Sequence, residues 1–410
     1  MRTLTLNFTG LGFLVPFEVV SFRWAWGGLV CSLFSDQAQA ALLAVVALNL
    51  VGSASGWAAI LTAQAVPRIL LIVVGGVAAD RLHLQAILRV GNALQALALV
   101  SIAALDHIGV LSVPDLYAFA VVYGALAAFT APATDSLIPS LLPPELVRRG
   151  NALRSLALNV GRFLGPPAVT TLLVVAGATV ALVGVAALCA AAALSFGQVT
   201  AGGRQQRAAE PLFDQARAGL TVAASQPLVG VPILMLVIFN VGYSGATYVG
   251  LPALARLELG AGAQGVGLLL GSLGAGALVG AVTMLLISSI PRVGCFACLA
   301  IATVGLGLVG AGMAHSLWTV ATCLAVAGLG ISCAAVALLT IVQVHAPVET
   351  RGRVLALWSL AFTGLTPLSY ALAGLVGERL GAHGIILLGG VCVLGAAGFG
   401  LLSRPMRQLA

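Results

Sequence analysis

Long apolar stretches separated by short polar or turn segments dominate the chain. A membrane-spanning helix needs about 20 consecutive apolar residues, and twelve stretches of the sequence come near that length or exceed it. The predicted spans are 24–50, 57–78, 84–105, 115–138, 150–176, 178–199, 228–254, 264–287, 293–313, 318–343, 353–376 and 384–402. The pattern predicts an all-α integral membrane protein with twelve transmembrane helices, several of them joined by very short connections.

The composition agrees with a membrane protein and excludes an ordinary soluble one. Hydrophobic residues make up 60% of the chain, charged residues only 8%, and the mean hydropathy is +1.11. Soluble domains carry about 25% charged residues. The 50 glycines are typical of membrane helices that pack closely, because small residues let two backbones approach each other.

The arginines predict the orientation. All 19 basic residues are arginines. With a cytoplasmic N-terminus, fifteen of them lie on the cytoplasmic side, whereas Arg256 and Arg379 lie on the other side and Arg68 and Arg162 lie within spans. The positive-inside rule then places both termini in the cytoplasm. We therefore expect a multi-pass protein of the bacterial inner (cytoplasmic) membrane, whose net charge of +7 reflects loop bias and not nucleic-acid binding.

A half-chain repeat predicts two domains. The longest polar segment separates the sixth and seventh spans, and Pro144–Gly150 is echoed about 200 residues later by Pro347–Gly352. The sequence thus predicts an N-terminal six-helix half at 1–200, a cytoplasmic linker at 201–227 and a C-terminal six-helix half at 228–410. Parallel repeats of this kind occur in transporters that bind substrate near the midplane.

Three charges within spans are the sharpest functional signal. Asp36, Arg68 and Arg162 each lie about the middle of a predicted span, where a charge costs at least about 2.5–3.5 kcal/mol. We expect these three residues to couple transport to protons, because burial favours the neutral form of a carboxylate. An equal alternative is that Asp36 and Arg68 form a structural ion pair. The two interpretations are compatible, because a pair that breaks during the transport cycle would act as a proton switch.

Polar residues near these charges predict a substrate cavity. Gln64 shares a helix face with Arg68, and Asn159 shares one with Arg162; such polar faces point to the protein interior or to water. The aromatic members also fit simple packing or an interfacial belt. The predicted cavity residues are Gln39, Gln64, Asn159, Asn240, Tyr243, Gln343 and Trp358.

Two motifs resemble those of the major facilitator superfamily. Gly76-x-x-x-Asp80-Arg81 resembles the loop between helices 2 and 3, which in that family locks the cytoplasmic side. The segment Gly161–Pro167 resembles the Gly-x-x-x-Gly-Pro element in helix 5 of the antiporters, which predicts a kink at Gly161, Gly165 and Pro166, since proline removes a backbone hydrogen bond. The segment 131–153, with Phe22-Arg23, is similar to the branch of the enterobactin exporter and macrolide efflux proteins.

The resemblance implies a cytoplasmic gate. The expected gating residues are Gly76, Asp80, Arg81, Asp135, Glu145, Arg149, Glu349 and Arg351. The chain departs from the family at His83-Leu84-Gln85, where basic residues are usual. We therefore expect Arg81 or Arg89 to pair with Asp135.

The predicted function is export of a small molecule by a secondary active transporter, through proton-coupled antiport and alternating access. Two embedded arginines against one aspartate favour an anionic or amphipathic cargo. Alternatives are an importer, a lipid or metabolite transporter of the same fold, or a receptor that does not transport. No enzyme motif is present, and a chain without lysine cannot hold a Walker motif. We expect no catalytic residues, metal or cofactor; the partners are substrate, protons and the lipid bilayer, not nucleic acid, and the protein is expected to be a monomer.

Overall fold

The structure, a computed structural model, describes residues 12–200, 220–287, 292–347 and 350–409, and these residues contain helices and no strand. The first half comprises α1 Val20–Val51, α2 Ala54–Arg81, α3 Leu84–His107, α4 Val113–Leu141, α5 Pro144–Ala176 and α6 Ala178–Gly197. The second comprises α7 Pro227–Glu258, α8 Gly262–Leu286, α9 Val293–Met313, α10 Leu317–His345, α11 Arg351–Thr363 and α12 Thr366–Leu402. A 3₁₀-helix, Gly12–Glu18, precedes α1, and a short helix, Arg404–Gln408, follows α12. Most of the predicted linker, 201–219, lies outside the described residues.

Eleven helical stretches of the described chain are long and apolar enough to cross a membrane, and the last of them contains 51 residues, Gly352–Leu402. At about 1.5 Å per residue such a helix would be roughly 75 Å long, more than twice the ~30 Å hydrocarbon core. Gly381 interrupts it with φ 67° and ψ −169°. This break falls between the predicted spans 353–376 and 384–402, so the stretch fits two crossings.

A carboxylate caps the segment that follows the break at Gly381. The backbone N–H groups of Ala382 and His383 donate to the two carboxylate oxygens of Glu258 at the end of α7. His383 Nδ1 also lies 2.9 Å from the carbonyl oxygen of Gly312 in α9. An acidic group at a helix N-terminus is favourable because it satisfies free N–H groups and complements the helix dipole. Glu258 thus fixes where the last span begins.

Equivalent helix pairs pack together in the two halves. The pair α2–α4 has its counterpart in α8–α10, and the pair α3–α6 has its counterpart in α9–α12. Between the halves, α5 packs against α8, and α2 packs against α12. A central space is therefore bounded by helices of both halves.

Contacts between the halves concentrate on one side, which we name the closed side: the side where α1 ends and α2 begins, at 52–53. The indole Nε1 of Trp57 donates to the carbonyl oxygen of Tyr248 at 2.8 Å, and Arg256 donates to Asn49. Glycines of α12 face the start of α2; a Cβ at Gly374 would lie 3.0 Å from that of Ala58. In the described part of the chain, the side-chain hydrogen bonds that join the halves lie here.

The segment predicted as a loop around Gly76–Arg81 is helical. α2 continues to Arg81, and only Leu82 and His83 separate it from α3. Leu82 N–H still bonds the carbonyl oxygen of Ala78 at 2.8 Å. The expectation of a loop was wrong because a polar pair in the last turn of a helix does not end it. Arg81 at this C-terminus also complements the helix dipole.

Candidate functional site

A cavity lies between the two halves. Its polar lining comes from α1, α5 and the middle of α7, and its apolar lining comes mainly from α8 and α10. The polar residues are Gln37, Arg162, Tyr243, Thr247 and Tyr248, and the apolar ones include Leu270, Leu273, Ala277 and Ile331. A concave, mostly apolar space with a few polar groups is typical of small-molecule sites.

A π-helical turn of α7 brings two of these polar residues to the cavity. Thr247 and Tyr248 lie in the turn Ala246–Gly250, and π-turns within α-helices often occur at functional sites. The same turn presents the Tyr248 carbonyl oxygen to Trp57. The same turn of α7 therefore contributes both to the lining of the cavity and to the contacts of the closed side.

Asp36 is held by a tyrosine of α4. Tyr123 Oη donates to Asp36 Oδ1 at 3.0 Å, and Tyr123 is buried. Arg68 of α2 lies within electrostatic range of Asp36, yet no ion pair within 4.0 Å joins them among the described residues. The direct partner of this carboxylate is thus a neutral hydroxyl, and the arginine acts on it from a distance.

Arg68 is within electrostatic range of two carboxylates. It is exposed and acts on Asp36, on Asp135 of α4 and on Tyr370 of α12. Asp36 lies mid-helix in α1, whereas Asp135 lies near the end of α4 on the side opposite the closed side, with its side chain 66% exposed. Arg68 is therefore a basic group that both carboxylates have in common.

Asp135 pairs with Arg154 and not with Arg81 or Arg89 as expected. Arg154 Nη2 lies 2.5 Å from Asp135 Oδ1. α4 and α5 are consecutive helices joined through Leu142 and Pro143, so residues at similar distances from this connection lie level with each other. Arg81 is exposed at the end of α2, and the side chain of Arg89 lies over the Gly197 position of α6.

Arg162 faces the cavity without a carboxylate partner. Its side chain is partly buried and lies within electrostatic range of Tyr243. In the described ranges, the salt bridges join Arg154 to Asp135 and His383 to Glu258, and neither involves Arg162. The two embedded arginines thus have different surroundings.

The Gly/Pro element of α5 makes two close helix contacts. A Cβ at Gly161 would lie 3.3 Å from the Leu33 carbonyl oxygen, and one at Gly165 would lie 3.2 Å from Gln37 Cβ. Both glycines therefore allow α5 to pack closely on α1. α5 continues as one helix through Pro166 and Pro167.

The prolines leave two carbonyl groups of α5 without their usual donors. Proline has no N–H, so the carbonyl oxygens of Arg162 and Phe163 lack the bond from the residue four positions later. These carbonyls face glycines of α8: a Cβ at Gly274 would lie 2.5 Å from the Arg162 oxygen, and one at Gly271 would lie 3.2 Å from that of Phe163. The halves therefore meet backbone to backbone at this α5–α8 seam, where weak Cα–H···O contacts are favourable.

The other residues predicted for the cavity lie elsewhere. Gln39 is buried and its Nε2 has no hydrogen-bond partner, whereas Asn240 Nδ2 donates to the Phe362 carbonyl oxygen at 2.5 Å. Trp358 packs on the cluster around Val354 and Leu357. Gln343 is exposed, and Gln64 and Asn159 are partly buried outside the cavity lining. Tyr243 is the one of the seven that lines this space.

The predicted gating residues that the structure describes are dispersed around the side opposite the closed side. Gly76 faces open space. Glu145 lies in the first turn of α5, and Arg149 is partly buried one turn later. Glu349 lies outside the described residues, as do the side chains of Asp80 and Arg351.

Tyr123 was not predicted, although a tyrosine in the middle of a membrane span is a polar group that needs a partner.

Two packed helical halves, with a mostly apolar cavity that carries a few polar groups between them, are the architecture of a membrane transporter of the major facilitator type. The chain belongs to the MFS_3 family, described as transmembrane secretion effector, which matches residues 11–409. No curated protein sequence matches it.

Solved transporter structures share the fold. A mutant form of the nucleoside transporter NupG is 12% identical with a TM-score of 0.70, over 93% of this chain and 97% of that one. A bacterial homolog of the human lysosomal transporter Spinster, inward-facing and occupied, is 16% identical with a TM-score of 0.68, over 94% and 97%. A POT family transporter in complex with a thioalcohol-conjugated peptide is 12% identical with a TM-score of 0.71, over 94% and 96%. At these identities the likeness concerns the fold alone.

Proposed function

We propose that the protein exports a small molecule across the bacterial inner membrane by proton-coupled antiport. The observation that carries this proposal is the Asp36 carboxylate in the middle of α1, to which Tyr123 Oη donates at 3.0 Å and which forms no ion pair within 4.0 Å among the described residues. The description of the family as secretion effectors supports export.

Proton coupling needs a group that gains and loses a proton as access alternates. Asp36 meets this need because its hydrogen bond comes from a neutral hydroxyl and Arg68 keeps no salt bridge with it among the described residues. The charge of ionised Asp36 is therefore only partly compensated, and protonation of Asp36 breaks no direct ion pair. Asp135, which is 66% exposed, is the exit group through which the proton reaches the cytoplasm.

The contacts between the halves support an inward-facing state. With the predicted orientation, the closed side faces away from the cytoplasm, so the cavity would receive cargo from the cytoplasm. Rocking of the halves about the α5–α8 seam and the α2–α12 contact would then expose the cargo to the other side. The proton gradient provides the driving force, and different proton affinities of the two states couple it to the conformational change.

The test uses everted membrane vesicles and a compound selected by growth protection of cells that produce the protein. We expect uptake to rise when the vesicle interior is more acidic than the medium. Uptake should stop when this pH gradient is dissipated. Asp36→Asn is expected to lose the gradient dependence, whereas Asp115→Asn, which keeps an acceptor at the capping box of α4, is expected to retain it. Uptake by right-side-out vesicles instead would show an importer, and uptake indifferent to the gradient would contradict antiport.

A further inference from the structure

We propose that the cavity between the halves binds an organic anion and that Arg162 holds its carboxylate group. The inference rests on the proposed function, because it names the cargo class of the same cavity. It depends on the different surroundings of the two embedded arginines and on an unsatisfied donor beside one of them.

The first step is the charge balance of the cavity. Arg68 has two carboxylates within electrostatic range, Asp36 and Asp135, although neither forms an ion pair with it among the described residues. Around Arg162 the lining contains an amide on α1, hydroxyl groups on α7 and apolar side chains on α8 and α10, and no acidic residue. A partly buried charge is costly without a partner. The cavity therefore presents a positive charge that an anionic ligand would neutralise.

The second step is the hydroxyl group of Thr247. Thr247 lines the cavity and is only 2% exposed, and its Oγ1 has no hydrogen-bond partner of normal geometry, although Tyr243 lies near enough to interact with it. Leaving a buried polar group unpaired is unfavourable because its desolvation is not offset by a hydrogen bond. A ligand that accepts from this hydroxyl removes that cost. Gln37 contributes a further amide donor to the lining.

These donors fit a carboxylate. An ionised carboxylate accepts only, through two oxygens with about four lone-pair sites, and it can take a bidentate guanidinium. A primary amide or an amine of the same shape carries N–H donors, and no residue that lines the cavity has a negative charge to accept from them. The polar end of the cavity therefore discriminates an acid from its neutral or cationic analogue.

The third step is the apolar wall opposite the donors. Leu270, Leu273 and Ala277 of α8 and Ile331 of α10 line it, and an apolar wall beside a few polar groups is typical of small-molecule sites. The ligand is thus an amphipathic acid, with its carboxylate at Arg162 and its hydrocarbon body against α8.

The test is calorimetric binding to the purified full-length protein, with no pH gradient. The probes are octanoate, decanoate and 2-naphthoate, each beside its primary amide. We expect at least one acid to bind about tenfold or more tightly than its amide, since hydrogen bonds to charged groups contribute about 1.5–3 kcal/mol. Arg162→Gln should abolish this preference, Arg162→Lys should keep part of it, and Thr247→Val should weaken the acid alone.

Controls separate this inference from misfolding and from the proposed function. Arg379→Gln removes an exposed arginine of α12 and should leave the preference unchanged, and thermal unfolding identifies variants that do not fold. Equal binding of every acid and its amide to the wild type, or a preference that survives in folded Arg162→Gln, overturns the inference. Arg162-dependent acid binding without gradient-driven transport would contradict the antiport proposal and leave this one standing.

Discussion

Arg256 of α7 donates hydrogen bonds from both Nε and Nη2 to Oδ1 of Asn49 at the end of α1. The contact joins the two halves across the closed side, at an exposed position. Trp57 Nε1, which donates to the Tyr248 carbonyl oxygen, is a second link on the same side. Opening this side requires both links to break.

Asn49→Ala or Arg256→Gln is expected to shift the population towards the state that is open on the closed side. Exposed pairs contribute about 0.2–1 kcal/mol, so the ratio of states should change about 1.4- to fivefold. Pulsed EPR between spin-labelled unnatural amino acids at Val110 and Met313, both exposed, would measure the change. Arg379→Gln serves as the control, and identical distance distributions in all variants would show that the contact does not hold the halves.

Gly274→Ala is expected to disrupt the α5–α8 seam. The new Cβ would lie 2.5 Å from the Arg162 carbonyl oxygen and 2.7 Å from the Phe163 nitrogen, and backbone atoms cannot move aside as side chains do. We expect a marked loss of transport at normal expression. Gly398→Ala, where nothing lies within 4 Å, should preserve transport and slightly stabilise α12, because alanine favours the helix by about 1 kcal/mol. Full transport by Gly274→Ala would exclude the seam as a pivot.

Tyr123→Phe removes the hydrogen bond to Asp36 and keeps the ring. We expect gradient-driven transport to slow by about tenfold, given the strength of hydrogen bonds to charged groups, while its dependence on the gradient persists because Asp36 remains. The vesicle assay measures both. Tyr117→Phe on the same helix, where the ring is partly buried, is the matched control, and an equal effect of the two substitutions would argue against a role for the Tyr123 hydroxyl.

Reversing the Asp135–Arg154 pair should rescue what single substitutions lose. Asp135→Arg and Arg154→Asp each place like charges together, and the double variant restores an opposite pair at the observed 2.5 Å contact. The double variant Asp135→Arg with Arg81→Asp should not recover transport, since the structure does not pair those residues. Recovery with Arg81 and not with Arg154 would show that the working protein uses the other pairing.

Gly381→Ala is expected to destabilise the protein. With φ 67° and ψ −169° the position belongs to a region that is essentially restricted to glycine and costs other residues about 1–3 kcal/mol. The added Cβ would also lie 2.6 Å from Glu258 Oε1 and would disturb the cap of the last span. A lower apparent Tm in detergent, compared with Gly395→Ala in open surroundings, is the measurement. An unchanged Tm would mean that the break can relax.

The apolar spans were readable from the sequence because each depends on local composition. Positions 24–50 and 84–105, for example, lie within α1 and α3, and the break between the last two spans falls at a glycine. Arg162 was also recognisable, since a charge in mid-span must face the protein interior or water.

Pairings between helices were not readable in the same way. Asp135 pairs with Arg154 and Asp36 with Tyr123, and both depend on the rotation and height of neighbouring helices, which no local pattern encodes. Thr247 reaches the cavity through a π-turn, whose altered register shifts the helix face that a 3.6-residue period would predict. Gln343 and Trp358 do not line the cavity, because residue type alone does not indicate where a side chain points.

The glycines of α8 that face α5 have a consequence for the energetics of alternating access. A contact between side chains orders rotamers when it forms, at about 0.5–1.5 kcal/mol for each immobilised side chain. Glycine has no rotamers to lose, and at Gly271 and Gly274 the opposing surface is largely backbone. The α5–α8 seam can therefore rearrange with little change in side-chain conformational entropy, so the contacts at Asn49 and Trp57 weigh more in which state is populated.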